Sequence, residues 1–362
     1  MYNLKIFRGK KIIITGHTGF KGSWLTLWLH HLGAKILGVS NGYLTSPNHY
    51  KLLKMNSKIK SRNIDISNLK KIEKVVLDYE PDYVFHLAAQ ALVSKSFLSP
   101  IQTFNSNTIG TLNLLQSLRK LKKRCVVVVI TSDKSYKNLE IKRGYKEDDV
   151  LGGKDPYSAS KAAAEIVLQC YSNVFYSNKS NINIAIARAG NVIGGGDWSK
   201  DRLIPDCIKS WSNKKKVILR NPFSTRPWQH VLEVLSGYLF LAHKLKKDNN
   251  LHGEAFNFGP RNKTDKNVIS LVKRMKKFWK NVDWKFNKKQ SKKMIESNLL
   301  KLNSSKSKKI LRWESILTFN EISKMTIDWY KHYYINKNGI KEFSINQIKS
   351  YEKLLIKKKK IK

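Results

Sequence analysis

The sequence predicts an α/β chain: a doubly wound parallel sheet covered by helices on both faces, followed by a smaller mixed α/β lobe. Three observations predict it. Short apolar runs alternate with amphipathic stretches in the rhythm of strand–helix–strand units. The first of these runs opens into a glycine-spaced turn that leads into a helical stretch. Beyond Gly190 the rhythm changes to short strands mixed with helices, and the composition becomes richer in lysine, as expected of a second, smaller lobe.

In order, Lys11–Thr15 reads as the first strand, followed by a helix over Ser23–Leu32 and a second strand over Lys35–Val39. Further strands are expected at Lys58–Asn63, Tyr83–Leu87, Val126–Thr131 and Ile182–Ala187. Helical patterns separate them near Leu69–Tyr79, Thr108–Leu121 and Tyr157–Phe175. Val217–Leu219 and Ala255–Phe258 are the short strands of the later region, and neither an internal repeat nor an extended linker interrupts the chain.

With 362 residues and 41% hydrophobic content the chain buries a substantial core, in one large domain or two intertwined ones. No apolar run approaches the roughly 20 residues that span a bilayer, and Met1 to Lys11 lacks the apolar core of a signal peptide, so the expected location is the cytoplasm. Cys125, Cys170 and Cys207 stand far apart, without the spacing of a disulfide framework or a metal site. The charge balance, 69 Lys+Arg against 26 Asp+Glu for a formal +43, attracts any polyanion. Its lysines are nevertheless dispersed in short groups, such as Lys214–Lys216, Lys288–Lys293 and Lys357–Lys360, with little aromatic interleaving and no nucleic-acid motif. A solvated, lysine-biased surface is the expected reading, and a nucleotide substrate benefits from the same field.

Glycines spaced G-x-x-G-x-x-G in Thr15-Gly16-His17-Thr18-Gly19-Phe20-Lys21-Gly22 leave a buried strand and enter a helix. Missing side chains let backbone N–H groups approach a pyrophosphate at the positive end of that helix. The second strand ends in Val39-Ser40-Asn41 with neither an acid for ribose hydroxyls nor an arginine for a 2′-phosphate, so NAD is preferred to NADP. Asp65-Ile66, after a short strand, has two readings: a carboxylate for the adenine amino group, or part of a helix N-cap.

Tyr157-Ser158-Ala159-Ser160-Lys161 places a phenol and an ammonium at i and i+4 on one helix face. An ammonium there lowers the tyrosine pKa toward neutrality, fitting Tyr157 as a general base, and Lys161 is placed to hydrogen-bond the nicotinamide ribose.

On these residues the chain resembles the extended short-chain dehydrogenase/reductase family over almost its whole length. The blocks that carry the resemblance are Thr15 to Trp24, Thr131-Ser132-Asp133-Lys134, Asp155 to Lys161, and Arg226-Pro227-Trp228-Gln229-His230-Val231. Within the family they are similar to those of the nucleotide-sugar 4,6-dehydratases, and Lys134 after Asp133 matches the cytidine-type pattern. That implies NAD as cofactor and CDP-glucose as substrate, with a surface-polysaccharide deoxysugar as the end of the pathway. It implies a Rossmann domain over 1–190, with part of 230–260 returning to it, a sugar-nucleotide lobe over 191–229 and 261–350, and a basic tail at 351–362. It also implies a homodimer formed through a four-helix bundle by segments 105–121 and 157–175.

Roles follow from the same resemblance. Gly16, Thr18, Gly19, Phe20, Gly22, Asp65, Ile66, Ala88, Tyr157 and Lys161 are expected at the cofactor. Tyr157 takes the C4 hydroxyl proton, Ser132 polarises the ketone, Asp133 protonates the C6 hydroxyl and Lys134 is the base at C5. Asn191, Arg202 and Arg226 grip the diphosphate, whereas Arg220 and the Pro227-Trp228 pair also read as structural. Two other readings stand beside this one. A sister epimerase or a dehydratase for another base is the first, and an epimerase needs no acid at C6. A dinucleotide fold reused to bind RNA is the second, and the retained Tyr157 and Lys161 weigh against it.

Overall fold

The computed structural model describes residues 4–176, 181–260, 265–279, 282–286, 300–336 and 338–360; the Lys288–Lys293 group lies outside the described residues. Seven strands build the main sheet: β1 (Lys11–Thr15), β2 (Lys35–Ser40), β3 (Lys60–Asn63), β4 (Tyr83–His86), β5 (Cys125–Ile130), β6 (Ile182–Ala189) and β7 (Ala255–Phe258). Their order is β7-β6-β5-β4-β1-β2-β3, and every neighbouring pair is parallel.

The strands are apolar at nearly every position because both sheet faces are covered. In β1, Ile12 and Ile14 enter one core and Ile13 the other; in β5, Val126 and Val128 face one way and Val127 and Val129 the other. The first core is closed by α1 (Phe20–His31), which buries Trp24, Leu25 and Trp28. The second is closed by α2 (Leu69–Tyr79), α3 (Gly110–Leu118) and α4 (Pro156–Val174) through Ile72, Val76, Leu114, Leu115 and Leu168. Each such side chain contributes roughly 1.5–3 kcal/mol on burial. β1 lies between β2 and β4, so the connections leave it in opposite directions and a crevice opens above its carboxyl end.

The later region adds α5 (Leu203–Ser212) and α6 (Val231–Lys247). Three two-stranded pairs accompany them: Val192–Ile193 with Gln229–His230, Val217–Leu219 with Trp284–Phe286, and Thr225–Pro227 with Asp265–Asn267. α6 is buried along nearly its whole length beneath β5 and β6, and Ala255–Phe258 is the edge strand beside β6. The lysine-rich end, read as a tail from residue 351, begins inside α7 (Ile340–Lys360), where Tyr351 is fully buried and its hydroxyl bonds Ser236 at 3.0 Å.

Two helix boundaries differ from the sequence expectation. α1 starts at Phe20 rather than Ser23, because Gly19 is already its N-cap and the last glycine of the turn lies inside the first helical turn. The helix expected over Thr108–Leu121 is shorter and irregular: a π-helical turn at Asn105–Ile109 precedes α3, which ends at Leu118. The wide turn aims Asn107 inward, where it accepts from the Gln90 N–H at 2.7 Å and donates to Ser160 Oγ at 2.9 Å.

Candidate active site

The glycine turn at the end of β1 is a backbone cradle. Gly16 has φ +74°, and a Cβ there would stand 2.7 Å from the Ala88 nitrogen; one on Gly22 would stand 2.0 Å from the Gly16 oxygen. Only missing side chains allow this close approach. Ala88 N donates to Thr15 Oγ1 at 3.2 Å, and Thr18 Oγ1 donates to the Gly42 carbonyl at 2.8 Å, tying the turn to the ends of β4 and β2. Gly19 gives α1 no side-chain cap, so the N–H groups of its first turn are presented to the crevice. These residues fit the diphosphate of a dinucleotide. On the adenosine side, Asp65 accepts from Ser67 N at 2.9 Å, Ser67 Oγ at 2.8 Å and Asn41 Nδ2 at 2.9 Å, while Asn68 is the residue that caps α2. Ile66 is buried against Gly110.

The second half of the site hangs from β5 and α4. Just beyond β5, Ser132, Asp133 and Lys134 form one tight turn, with Lys134 N donating to Ser132 Oγ at 3.2 Å. Asp155 caps α4 by accepting from Ser158 N at 2.9 Å, and Pro156 starts the helix, a position where its missing N–H costs nothing. That fixes the buried face on which Tyr157 and Lys161 stand. The Tyr157 hydroxyl pairs with the Ser132 side chain, and Ser132 Oγ donates to Asp133 Oδ1 at 3.0 Å. Asp133 is only 6% exposed, and its Oδ2 lies against Gly190, where a Cβ would come within 2.9 Å. It is therefore not an exposed ion pair in a turn. Burial pushes its carboxyl above the ordinary range, partly offset by Lys134, the Ser132 hydroxyl and Lys21.

The expected lowering of the Tyr157 pKa is corrected: burial pushes the phenol up, with the Ser132 hydrogen bond and the Arg202 charge opposing. Lys161 Nζ donates to the Ile130 carbonyl at 3.3 Å, and burial lowers its own pKa to about 8.

The charge of Arg202 reaches Tyr157, and its guanidinium pairs with Asp197 at 3.3 Å. Arg220 pairs with Asp206 at 3.1 Å and Asp201 at 3.6 Å. Arg226 Nη1 donates to its neighbour's carbonyl, Thr225 O, at 2.9 Å. Beside it Trp228 is buried, with Nε1 donating to Lys266 O at 2.8 Å, so the Pro227-Trp228 pair anchors its loop. Asn191 is exposed just after β6. One residue of the cluster had no role in the sequence reading: Lys21, which donates to the Tyr238 hydroxyl at 3.5 Å and whose charge acts on Asp133. Its signal was a cation in a helix's first turn, where acids are favoured.

A cavity of about 450 Å³ lies apart from this cluster, lined in part by Lys146, Glu147, Arg188, Glu254 and Lys306. Its Arg188 is committed to Glu165 and Tyr136, so chemistry rather than size locates the site. Among the described residues no group of three His, Cys, Asp or Glu is placed to hold a metal, and no helix is long and apolar enough to cross a membrane.

The family model described as GDP-mannose 4,6 dehydratase matches residues 13–326. The chain is 40% identical over 336 residues to CDP-glucose 4,6-dehydratase of Salmonella typhimurium, spanning 91% of this chain and 93% of that protein. It is 26% identical over 304 residues to CDP-paratose 2-epimerase of Salmonella typhi, spanning 76% and 86%. Among solved structures, dTDP-glucose 4,6-dehydratase from Bacillus anthracis in complex with NAD superposes with a TM-score of 0.73 at 22% identity, over 89% of this chain and 97% of that one. Epimerase Mth375 from Methanothermobacter thermautotrophicus gives 0.78 at 22% identity, over 92% and 96%. The structural likenesses carry the fold and the sequence matches the family: the chain belongs to the GDP-mannose 4,6-dehydratase family of extended short-chain dehydrogenase/reductases.

Proposed function

We propose that this chain is an NAD-dependent nucleotide-sugar 4,6-dehydratase that converts CDP-glucose to its 4-keto-6-deoxy product. The observation that carries the reading is Asp133: a buried carboxyl with a raised pKa, one residue from the Ser132 that pairs with Tyr157. An acid so placed is what loss of the C6 hydroxyl requires, and an epimerase has no use for one. The 40% identity to a CDP-glucose 4,6-dehydratase supports the same substrate.

Bound in the Gly16–Gly22 cradle, with Thr18, Phe20 and Ala88 around it, NAD supplies the hydride acceptor for C4 and later the hydride donor for C6. The remaining work falls to the chain. Tyr157, as the phenolate, takes the C4 hydroxyl proton and becomes the neutral phenol; Arg202 and Lys161, one helical turn away, favour the phenolate from which this step starts. Ser132 donates to the new ketone oxygen, which makes the C5 proton acidic. Lys134 accepts that proton while Asp133 delivers its own to the C6 oxygen, so that water departs. Arg202 is the arginine nearest the chemistry, with Asn191 and Arg226 toward the nucleotide diphosphate; an Arg fork suits two phosphate oxygens.

Exposed apolar side chains on the α3–α4 side, including Phe97, Leu98, Ile101, Ile109 and Ile166, support a homodimer through that face. Three free thiols support a reducing, cytoplasmic setting.

The test is incubation of purified protein with NAD and CDP-, UDP- or dTDP-glucose, following the alkaline absorbance of a 4-keto-6-deoxy sugar. Product is expected from CDP-glucose, and Tyr157→Phe is expected to lower turnover by roughly 10²–10⁴-fold with NAD affinity unchanged. Silence with all three sugars, or release of an epimer, would overturn the reading.

A further inference from the structure

Thr131 and Tyr136 bracket the turn that carries Ser132, Asp133 and Lys134, and both are tied to one buried ion pair. Glu165 stands on α4, one helical turn beyond Lys161, and Arg188 stands on β6; both are buried. Arg188 Nε donates to Glu165 Oε2 at 2.8 Å and Oε1 at 3.1 Å, and Nη2 donates to Oε2 at 2.5 Å. On one side of the pair, Thr131 Oγ1 donates to Glu165 Oε1 at 2.5 Å. On the other, Arg188 Nη1 donates to the Tyr136 hydroxyl at 2.6 Å and to the Glu147 carbonyl at 2.9 Å. The Tyr136 hydroxyl donates onward to Asn257 Oδ1 at 2.8 Å. Between the two tethers the turn closes on itself, with Ser135 N donating to Ser132 O at 3.1 Å and Tyr136 N to Asp133 O at 3.3 Å.

Burying two charges costs their hydration, and apolar side chains of the same volume often serve stability equally well. What an apolar pair cannot make is directed bonds, and here those bonds run to the two ends of a single turn. The same face of α4 adds another link: Lys161 Nζ donates to the Ile130 carbonyl, so the helix is fastened to two successive residues, Ile130 and Thr131, just ahead of Ser132. Thr131 N in turn donates to the carbonyl of Ala187, the neighbour of Arg188, at 3.0 Å. These bonds fix the spacing between the helix that bears Tyr157 and the turn that bears Ser132.

We infer that Glu165 and Arg188 are positioning residues for the reaction: through Thr131 and Tyr136 they hold the Ser132–Asp133–Lys134 turn in register with Tyr157. The inference deepens the dehydratase reading and rests on it. Neither member of the pair needs to meet the substrate, because each acts through the residue it holds. In the proposed reaction Ser132 shares the C4 oxygen with Tyr157, while Asp133 and Lys134 serve C6 and C5. One displaced turn therefore misplaces three groups together, and a displacement of about 1 Å is enough to lower a rate roughly 10²-fold.

Thr131→Val, Thr131→Ser and Tyr136→Phe test this while leaving the ion pair itself whole, so that no buried charge loses its partner. Thr131→Val removes the hydroxyl that reaches Glu165, Thr131→Ser keeps it, and Tyr136→Phe frees the other end of the turn. With NAD and CDP-glucose, Thr131→Val and Tyr136→Phe are each expected to lower kcat by roughly 10- to 100-fold. KM and the NAD dissociation constant should stay within about threefold, and Thr131→Ser should recover most of kcat. Independently of turnover, hydrogen exchange at the Ser135 and Tyr136 amides, which close the turn, should quicken in Thr131→Val and Tyr136→Phe while the amides of α4 keep their protection. Wild-type kcat in both of these variants would overturn the inference. So would a loss of kcat that Thr131→Ser shares in full, which would assign the defect to packing at that position, or one matched by an equal rise in KM, which would assign it to substrate binding. If wild type makes no product from any sugar, the dehydratase reading fails by itself, and the exchange of the Ser135 and Tyr136 amides still decides whether the pair holds the turn.

Discussion

Helices α1 and α4 bring their amino ends to one crevice and are finished in opposite ways. α4 is closed by its own sequence: Asp155 accepts from Ser158 N and Oγ, and Pro156 removes one donor, so its first turn is satisfied without a ligand. α1 is left open, with Gly19 as a cap that offers no side chain and Lys21 in its first turn. The closed end is a rigid mount for Tyr157 and Lys161, whereas the open end is a set of donors that only an anion completes. The bracing differs as well. Around the open end, neutral imidazoles do the work: His86 Nδ1 lies 2.7 Å from Thr15 Oγ1, His49 Nδ1 2.8 Å from Ser23 Oγ, and His17 bonds Ser40 and Ser61. Around the closed end a charged pair does it, Glu165 with Arg188.

The contrast is broken most severely by filling the open end. Gly22→Ala places a Cβ 2.0 Å from a backbone oxygen, which cannot move aside as a flexible side chain could. The expected outcome is loss of measurable NAD binding in protein that retains its circular dichroism, read by calorimetric titration.

Acid should distinguish the two ends next. Burial holds His49 and His86 near pKa 3 and His17 near 4. With folded pKa values below the unfolded value of about 6.5, these groups contribute stability that is present above pH 6.5 and is lost as pH falls toward 3 to 4. The unfolded chain then binds more protons, and each histidine costs up to about 1.4 kcal/mol per pH unit. Hydrogen exchange at pH 6.5 and 4.5 should show amides of the phosphate turn and α1 losing protection before those of α4; simultaneous loss would count against the division.

The smallest effect belongs to the closed end. Asp155→Ala removes one cap and should cost about 1 kcal/mol, a shift of roughly 2 °C in thermal unfolding, with NAD affinity unchanged. A larger loss of kcat than of stability would sharpen the comparison, by showing that the cap orients Tyr157 as well as starting its helix.

Most of the sheet was legible because burial on both faces leaves unbroken apolar runs, as in Ile12–Ile14 and Val126–Ile130. The cradle was legible too, since glycine spacing between a strand and a helix has few other uses. Less was legible where a side chain is chosen by its surroundings. Spacing put Lys161 on the face of Tyr157 but did not reveal how deeply the phenol is buried, and so the direction of its shift was missed. Arg202 and Arg226 looked alike along the chain, and it took the fold to bring the charge of Arg202 to Tyr157.

By itself, then, the sequence determined the order of strands and helices, the glycine cradle, the Tyr157–Lys161 face and the Ser132–Asp133–Lys134 turn, because each depends on residues a few positions apart. The tertiary structure decided which side chains come together: Lys21 of the first helix with Tyr238 of α6, Tyr157 of α4 with Ser132 from beyond the fifth strand, and Arg202, ahead of α5, with the charge environment of both. Those encounters rest on the sheet order, which sets β1 beside β4 and β4 beside β5, and on burial, which turns proximity into shifted pKa values; neither is a local property of the chain.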